Sequence, residues 1–301
     1  GVFLSGGLDS SVVAYELKQI KGQVNTFTNR MEPPVSTIHE DYNSDANCAK
    51  LLADKQDFNH KEVVITPQAY MDNWDKSIYY MEQPVYNPSM SMYCYTNRFL
   101  ANDEIVVTMA GDMGDEILAG YPKYWKMKNT QWLEKQIGKT KMDCWDDVLL
   151  MWLNRIKRPL NLTDNPISDE ILLQEFKKCY PEDLWNPNDP IGSHMALDCV
   201  AQVPEEMFSR NDKYGMAYGM EGRFPLATKT FMRYCMGIHT DVKLGPSKKD
   251  TKILDFACDA AYPTSTHAQC RVASVGSASR APRALIRVDR DCVRARVASP
   301  M

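Results

Sequence analysis

No apolar run in this 301-residue chain approaches the ~18 residues of a membrane-spanning helix. A charged-then-apolar leader is absent, and so are internal repeats. Nine cysteines are scattered without a single C-x-x-C, and five histidines show no H-x-x-x-H spacing, which removes support for a disulfide framework or a zinc site. The thiols are read as reduced, as in a cytoplasmic protein. Basic excess is missing too. A net charge of −4 argues against nucleic acid as the main partner, though it leaves room for a local basic pocket around a nucleotide. Neither G-x-x-x-x-G-K-[ST] nor G-x-G-x-x-G occurs, so the two commonest phosphate loops are excluded. What remains is ordinary for a globular protein: 44% hydrophobic and 25% charged residues, in a chain long enough to bury a large core.

The composition changes abruptly near Phe256–Ala257. Residues 1–256 hold 21 Lys and 7 Arg, whereas 257–301 hold 7 Arg, no Lys, no Asn, no Glu and no Trp, with ten Ala. The tail carries +4 against −8 for the rest and sustains no helical or strand period. It is expected to be disordered, as a basic tail for an anionic partner or, more economically, a frame artefact. At the other end, Gly1-Val2-Phe3-Leu4 reads as a buried strand entered part-way, which is expected of a piece cut inside a longer protein.

Between these ends, short apolar strands alternate with helices. Strands are expected at Gly1–Leu4, Val24–Thr28, Lys61–Ile65 and Glu104–Met109, and helices at Ser10–Ile20, Asn43–Lys55, Pro67–Met81 and Ser91–Leu100. That order predicts an α/β fold: a parallel sheet with helices on both faces. After Tyr121 the strand signals fade. Helices near Trp145–Ile156, Asp169–Lys177, Pro190–Asp198 and Glu205–Arg210 predict a mainly helical C-terminal part.

The first strand runs directly into Ser5-Gly6-Gly7-Leu8-Asp9-Ser10-Ser11 and then into a helix. A strand–glycine loop–helix junction at the carboxyl edge of a parallel sheet is where ligands bind. The glycines let backbone approach a ligand, the first helical N–H groups favour an anion, and the serines add hydroxyl donors. Asp9 fits a phosphate site only with a cation between, and Mg²⁺ is the natural one. A serine-capped tight turn is the plain structural alternative. A second strand, Glu104–Met109, runs into Ala110-Gly111-Asp112-Met113-Gly114-Asp115-Glu116-Ile117-Leu118-Ala119-Gly120-Tyr121, again glycines among acids.

The first loop resembles the pyrophosphate loop of the ATP pyrophosphatase superfamily, whose members cleave ATP to AMP and pyrophosphate while adenylating an oxygen. The second resembles the acidic glycine motif in the synthetase domain of the glutamine-dependent asparagine synthetases. Two further stretches agree with that family, Glu82-Gln83-Pro84-Val85-Tyr86-Asn87-Pro88-Ser89 and the segment from Arg210-Asn211-Asp212-Lys213 to Glu221-Gly222-Arg223-Phe224-Pro225. The resemblance covers residues 1–256 and implies an adenine nucleotide alpha hydrolase-like fold. It implies ATP and Mg²⁺ as cofactors, L-aspartate and ammonia as substrates, a glutaminase domain ahead of Gly1, and neither nucleic acid nor membrane as partner. Oligomeric state stays open, a homodimer included.

Carried over by position, the resemblance places Ser5, Gly6, Gly7, Asp9, Ser10 and Ser11 on pyrophosphate. Phe3 and Asn29 fall beside adenine, and Ala110 and Gly111 on main-chain contacts to the nucleotide. Asp9 and Asp115 fall on the metal, and Asp112 where a Glu is tied to acyl-adenylate formation. Arg210, Asp212 and Lys213 fall with the catalytic groups, and Glu221 and Arg223 on the aspartate side, where an ion pair between them is the structural alternative. There are departures. Met113 stands where glycine is usual, Asp112 is one methylene shorter than Glu, Ala110 replaces Ser, and Leu226-Ala227-Thr228 replaces Phe-Leu-Asp. The family's late lysine has no counterpart after Phe256. An inactive fragment, a nucleotide-binding sensor, or a related adenylating enzyme that closes β-lactam rings or amidates peptides are the competing readings.

Overall fold

The computed structural model describes residues 1–32, 43–83, 87–160 and 167–245. The expectations for 257–301 and for Pro84, Val85 and Tyr86 lie outside the described residues. In chain order the elements are β1 (Val2–Phe3), α1 (Leu8–Lys21), β2 (Asn25–Met31), α2 (Ser44–Gln56), β3 (Asn59–Ile65), α3 (Pro67–Asp72), α4 (Trp74–Met81), α5 (Met90–Asn102), β4 (Val107–Met109) and α6 (Gly114–Leu118). There follow α7 (Pro122–Lys126), α8 (Thr130–Ile137), α9 (Trp145–Leu160), α10 (Asp169–Cys179), α11 (Pro190–Val200), a π-helix (Val203–Phe208), α12 (Ser209–Met216), β5 (Glu221–Arg223), α13 (Lys229–Met236) and α14 (Thr240–Leu244). The chain divides into two compact units. Of the described residues, one contains those within 1–114 and 203–231, the other those within 115–202 and 232–245.

The first unit is built on a five-stranded sheet in the order β3-β2-β1-β4-β5, with every neighbouring pair parallel. Parallel neighbours require crossovers; α1, α2 and the α3–α5 run lie between successive strands as far as β4, and the longer stretch from α6 to α12 lies between β4 and β5. Both faces are covered. Val2 and Leu4 alternate onto one face with Val13, Ala14, Ala49, Ala53 and Leu226. Phe27, Val63 and Ile65 pack on the other with Leu100 and Met220. Each Val, Leu, Ile, Phe or Met among them, fully buried, contributes roughly 1.5–3 kcal/mol.

Three details differ from the sequence reading. The helix expected over Pro67–Met81 is two helices meeting at buried Asn73, whose Nδ2 donates to the Ala69 carbonyl at 2.7 Å; a side-chain amide bonding backbone competes with helix continuation. Strand β4 begins only at Val107, because Glu104 (φ 59°) turns the chain at the end of α5. The fifth strand, Glu221-Gly222-Arg223, comes from the part expected to be mainly helical. It is three residues long with no apolar member, so it has no sequence signature, and its pairing with β4 defines it.

The second unit is helical. On α9, Trp145, Val148, Leu149 and Trp152 recur at i, i+3, i+4 and i+7. The first three join Tyr124, Leu133, Met195 and Leu197 in one core, against which Trp152 packs. At its centre lies a fully buried carboxylate. Asp198 pairs with Lys123 at 2.6 Å and His194 at 3.3 Å, and accepts from the Tyr124 hydroxyl at 2.7 Å and the Trp152 indole at 3.2 Å. Burial alone would raise its pKa, but His194 and Lys123 hold it far below the usual carboxylate range.

Removing one partner of a buried ion pair leaves the other charge uncompensated and costs about 3–5 kcal/mol. Asp198→Asn is therefore expected to lower stability by that order at pH 7 in urea unfolding. A depressed folded pKa gives stability that is complete above the unfolded value of about 3.9 and lost as pH falls toward the folded one. The gap between parent and variant is thus expected to stay constant above about pH 5 and to narrow below pH 4.

Candidate functional site

The strand order places a topological switch at β1. From it β2 and β3 extend to one side, β4 and β5 to the other. The loops that follow β1 and β4 therefore emerge side by side at the carboxyl edge, with Val2 in register with Met109. In open parallel sheets that crevice is the ligand site.

The two loops touch with no space for a side chain. A Cβ on Gly111 would stand 2.5 Å from the Ser10 nitrogen, and one on Gly114 would stand 2.5 Å from Cγ of Asp9. Gly6 has φ +71°, a left-handed conformation, and a Cβ there would meet Cβ of Cys48 at 2.6 Å. Gly7 is the N-cap of α1. Its carbonyl accepts from the Ser11 amide at 3.2 Å and from the Ser10 and Ser11 hydroxyls at 3.2 and 2.6 Å. The Ser5 hydroxyl contacts Ser10 Oγ at 3.1 Å and accepts from the Gly7 amide at 3.2 Å. Ser10 and Ser11 are buried and Ser5 is exposed. The serines read as phosphate donors thus first stiffen the turn itself.

Of the groups read beside adenine, Asn29 lies on β2 and accepts from Thr96 Oγ1 at 2.7 Å. Phe3 meets the ring of Tyr93, on α5, edge-on at 6.4 Å. The Ala110 amide donates to the Arg223 carbonyl at 3.1 Å, so its N–H is spent on the sheet. Asp112 lies beside it, and Met113 follows at φ +83°, a strained conformation for a non-glycine residue. Burial raises the Asp112 carboxyl pKa, while the Arg210 guanidinium and an amide hydrogen bond from Asn211 pull it down. Asn211 Nδ2 donates to Asp112 Oδ2 at 2.9 Å. Arg210, itself buried, stacks over the Tyr93 ring at 4.1 Å.

The remaining residues of the α12–β5 segment divide differently. Asp212 is exposed. Lys213 donates to the Met81 carbonyl at 2.7 Å and pairs with Glu82 at 3.2 Å, closing the end of α4. Glu221 and Arg223, two apart on β5, pair bidentately at 3.0 and 3.1 Å. Leu226 packs in the core under the sheet. The acidic loop passes into the second unit between Gly114 and Asp115. There Glu116 is buried, accepts from the Tyr121 hydroxyl at 2.8 Å, and is pushed up to about 7 by burial.

Tyr93, Thr96 and Asn211 escaped the sequence reading. Tyr93 and Thr96 sit on a helix with no motif of its own, and Asn211 stood between two charged residues that drew the attention. Among the described residues no group of three or more His, Cys, Asp or Glu is placed to hold a metal.

Comparison with known proteins gives the family. The sequence model of the asparagine synthase family matches residues 1–268. The chain is 27% identical over 125 residues to "Asparagine synthetase [glutamine-hydrolyzing] 1" of Bacillus subtilis (strain 168), covering 41% of this chain and 18% of that protein. It is 30% identical over 142 residues to the asparagine synthetase [glutamine-hydrolyzing] of Pongo abelii, and 29% over 142 residues to that of Homo sapiens; each match covers 45% of this chain and 24% of the relative. The matched stretch therefore spans under a quarter of these relatives' length. With a family match that covers most of its residues, a parallel sheet and two apposed glycine loops at the switch point, the chain belongs to the asparagine synthase family.

Proposed function

We propose that this chain is the ATP-using part of an asparagine-forming ligase. The observation that carries the reading is the close approach of the two loops at the switch point, with Gly111 against the Asp9–Ser10 backbone and the Asp9 carboxylate against Gly114. A carboxylate does not react with ammonia at neutral pH, because oxide would have to leave. Attack of the aspartate β-carboxylate oxygen on the α-phosphorus of ATP forms the acyl-adenylate, and the bond to pyrophosphate breaks. Ammonia then attacks the acyl carbon, loses a proton, and expels AMP.

The residues of this chain serve that sequence mainly by positioning and charge neutralisation. Main-chain N–H groups at the start of α1 receive pyrophosphate. Phe3 and Asn29 line the adenine. Asp9 is the carboxylate of the first unit that holds Mg²⁺, which when bound neutralises phosphate charge; the expectation for Asp115 rests on its motif. Asp112 and Arg210 serve the acyl-adenylate, and Glu221 with Arg223 the aspartate side. Ammonia would come from glutamine hydrolysis, a reading supported by the bracketed name of the relatives.

The full-length protein is expected to release pyrophosphate from ATP only when aspartate is present, and AMP stoichiometrically with asparagine. Aspartate-independent release, or none, would falsify the assignment. Asp9→Asn is expected to lower kcat by at least about 100-fold, the scale of losing one preorganised charge at a transferring group. Gly111→Ala forces loop backbone apart, because the added methyl meets the Ser10 nitrogen. Equilibrium titration with a fluorescent ATP analogue is expected to show a loss of affinity of about tenfold or more. Unchanged affinity in a folded Gly111→Ala protein would remove the loop contact from the nucleotide site.

A further inference from the structure

Asp112 is held by one direct side-chain contact among the described residues, and that contact comes from a residue the family reading leaves unassigned. The Asn211 amide nitrogen donates to Asp112 Oδ2 at 2.9 Å and to the Met207 carbonyl at 3.3 Å, one turn earlier. Both its hydrogens are thereby used, which fixes the amide with nitrogen toward the carboxylate. Asn211 is buried, and its Cβ sits 3.6 Å from where a Cβ on Gly222 would be, on the strand that pairs with β4. The side chain thus springs from α12, its amide is tied back to the preceding π-helix, and its Cβ packs against the strand that pairs with β4. Arg210, next in sequence, cannot substitute for it. Its guanidinium lies over the Tyr93 ring and makes no ion pair with Asp112 within 4.0 Å; its Nε has no hydrogen-bond partner among the described residues. It attracts the carboxylate through space without fixing its direction.

We infer that Asn211 is a positioning residue that aims the Asp112 carboxylate at the acyl-transfer centre, an inference that rests on the amide-synthesis reading above. The carboxylate is the shortest acid that could serve there, on a loop whose next residue is held at φ +83°. A short side chain on a strained turn has few rotamers to adjust with, so its aim depends on an external donor.

The test is steady-state kinetics on the full-length protein with Asn211→Leu, which keeps size and removes the donor. The expected result is a fall in kcat of about 10- to 100-fold with the KM for ATP within about threefold of the parent. Combined with Asp112→Ala, it should add less than about threefold to the loss from Asp112→Ala alone, because both remove the same group. If Asn211→Leu fails to fold, Asn211→Ser carries the same comparison. The exchange pair Asp112→Asn with Asn211→Asp should restore the melting temperature of Asn211→Asp without restoring kcat, since the hydrogen bond returns but the carboxylate has moved. A kcat within about threefold of the parent, a loss confined to KM, or multiplicative losses in the double variant would each overturn the positioning role. A parent protein without aspartate-dependent pyrophosphate release would overturn the amide-synthesis reading and this inference with it. An active parent indifferent to Asn211→Leu would overturn the inference alone.

Discussion

The first unit depends on one steric constraint: the turns after β1 and β4 approach until only glycine fits between them. Gly111 lies against the Ser10 backbone and Gly114 against the Asp9 carboxylate. Parallel strands β1 and β4 bring their carboxyl ends together, and without side chains at these positions the two loops close into a single crevice. A methyl group at either would force backbone or a carboxylate to move. The order of strands follows from the same place. Crossovers through α1 and α2 build outward on one side of β1, and the chain must return across it to lay down β4.

Around that crevice most polar side chains are used internally. In the first loop the Ser5 and Ser10 hydroxyls bond each other, and the Ser10 and Ser11 hydroxyls donate to the Gly7 carbonyl. Lys213 closes a helix end, and Glu221 holds Arg223. These contacts set loop and strand geometry before any ligand arrives, which is what a preorganised site needs, because ordering done in advance is not subtracted from binding. Asp112 differs. It is drawn between burial, which favours its neutral form, and Arg210 with Asn211, which favour its charge. Opposed effects on one carboxylate in a crevice are characteristic of functional groups.

The second unit solves a different problem. Its core encloses the ionised Asp198, and Lys123, His194 and two further donors surround it. A buried charge is tolerable only when its partners satisfy it, and such a cluster fixes which helical faces meet more sharply than apolar packing does. Lys123 also stands over the rings of Tyr121 and Tyr124 at 5.0 and 4.9 Å, so the same cation ties the aromatic layer to the carboxylate.

The sequence by itself determined the α/β class, the parallel sheet, both glycine loops and the family, because these depend on local pattern. Apolar spacing sets helix or strand, and glycines among serines or acids mark where backbone must turn and approach. Ser44–Gln56 and Asn59–Ile65 lie within two residues of their expected bounds for that reason. Only the tertiary structure decided the rest. Strand β5 exists because β4 offers it an edge, and its residues carry no strand pattern. The break at Asn73 depends on one amide choosing the Ala69 carbonyl. Lys213 meets the end of a helix 131 residues earlier in the chain, at Glu82. Asn211 meets Asp112 across 99 residues, and Arg210 finds Tyr93 across a similar span. Hydrogen bonds and ring contacts of this kind require atoms within a few ångströms. That proximity is set by how the crossovers pack, and residue order along the chain does not record it.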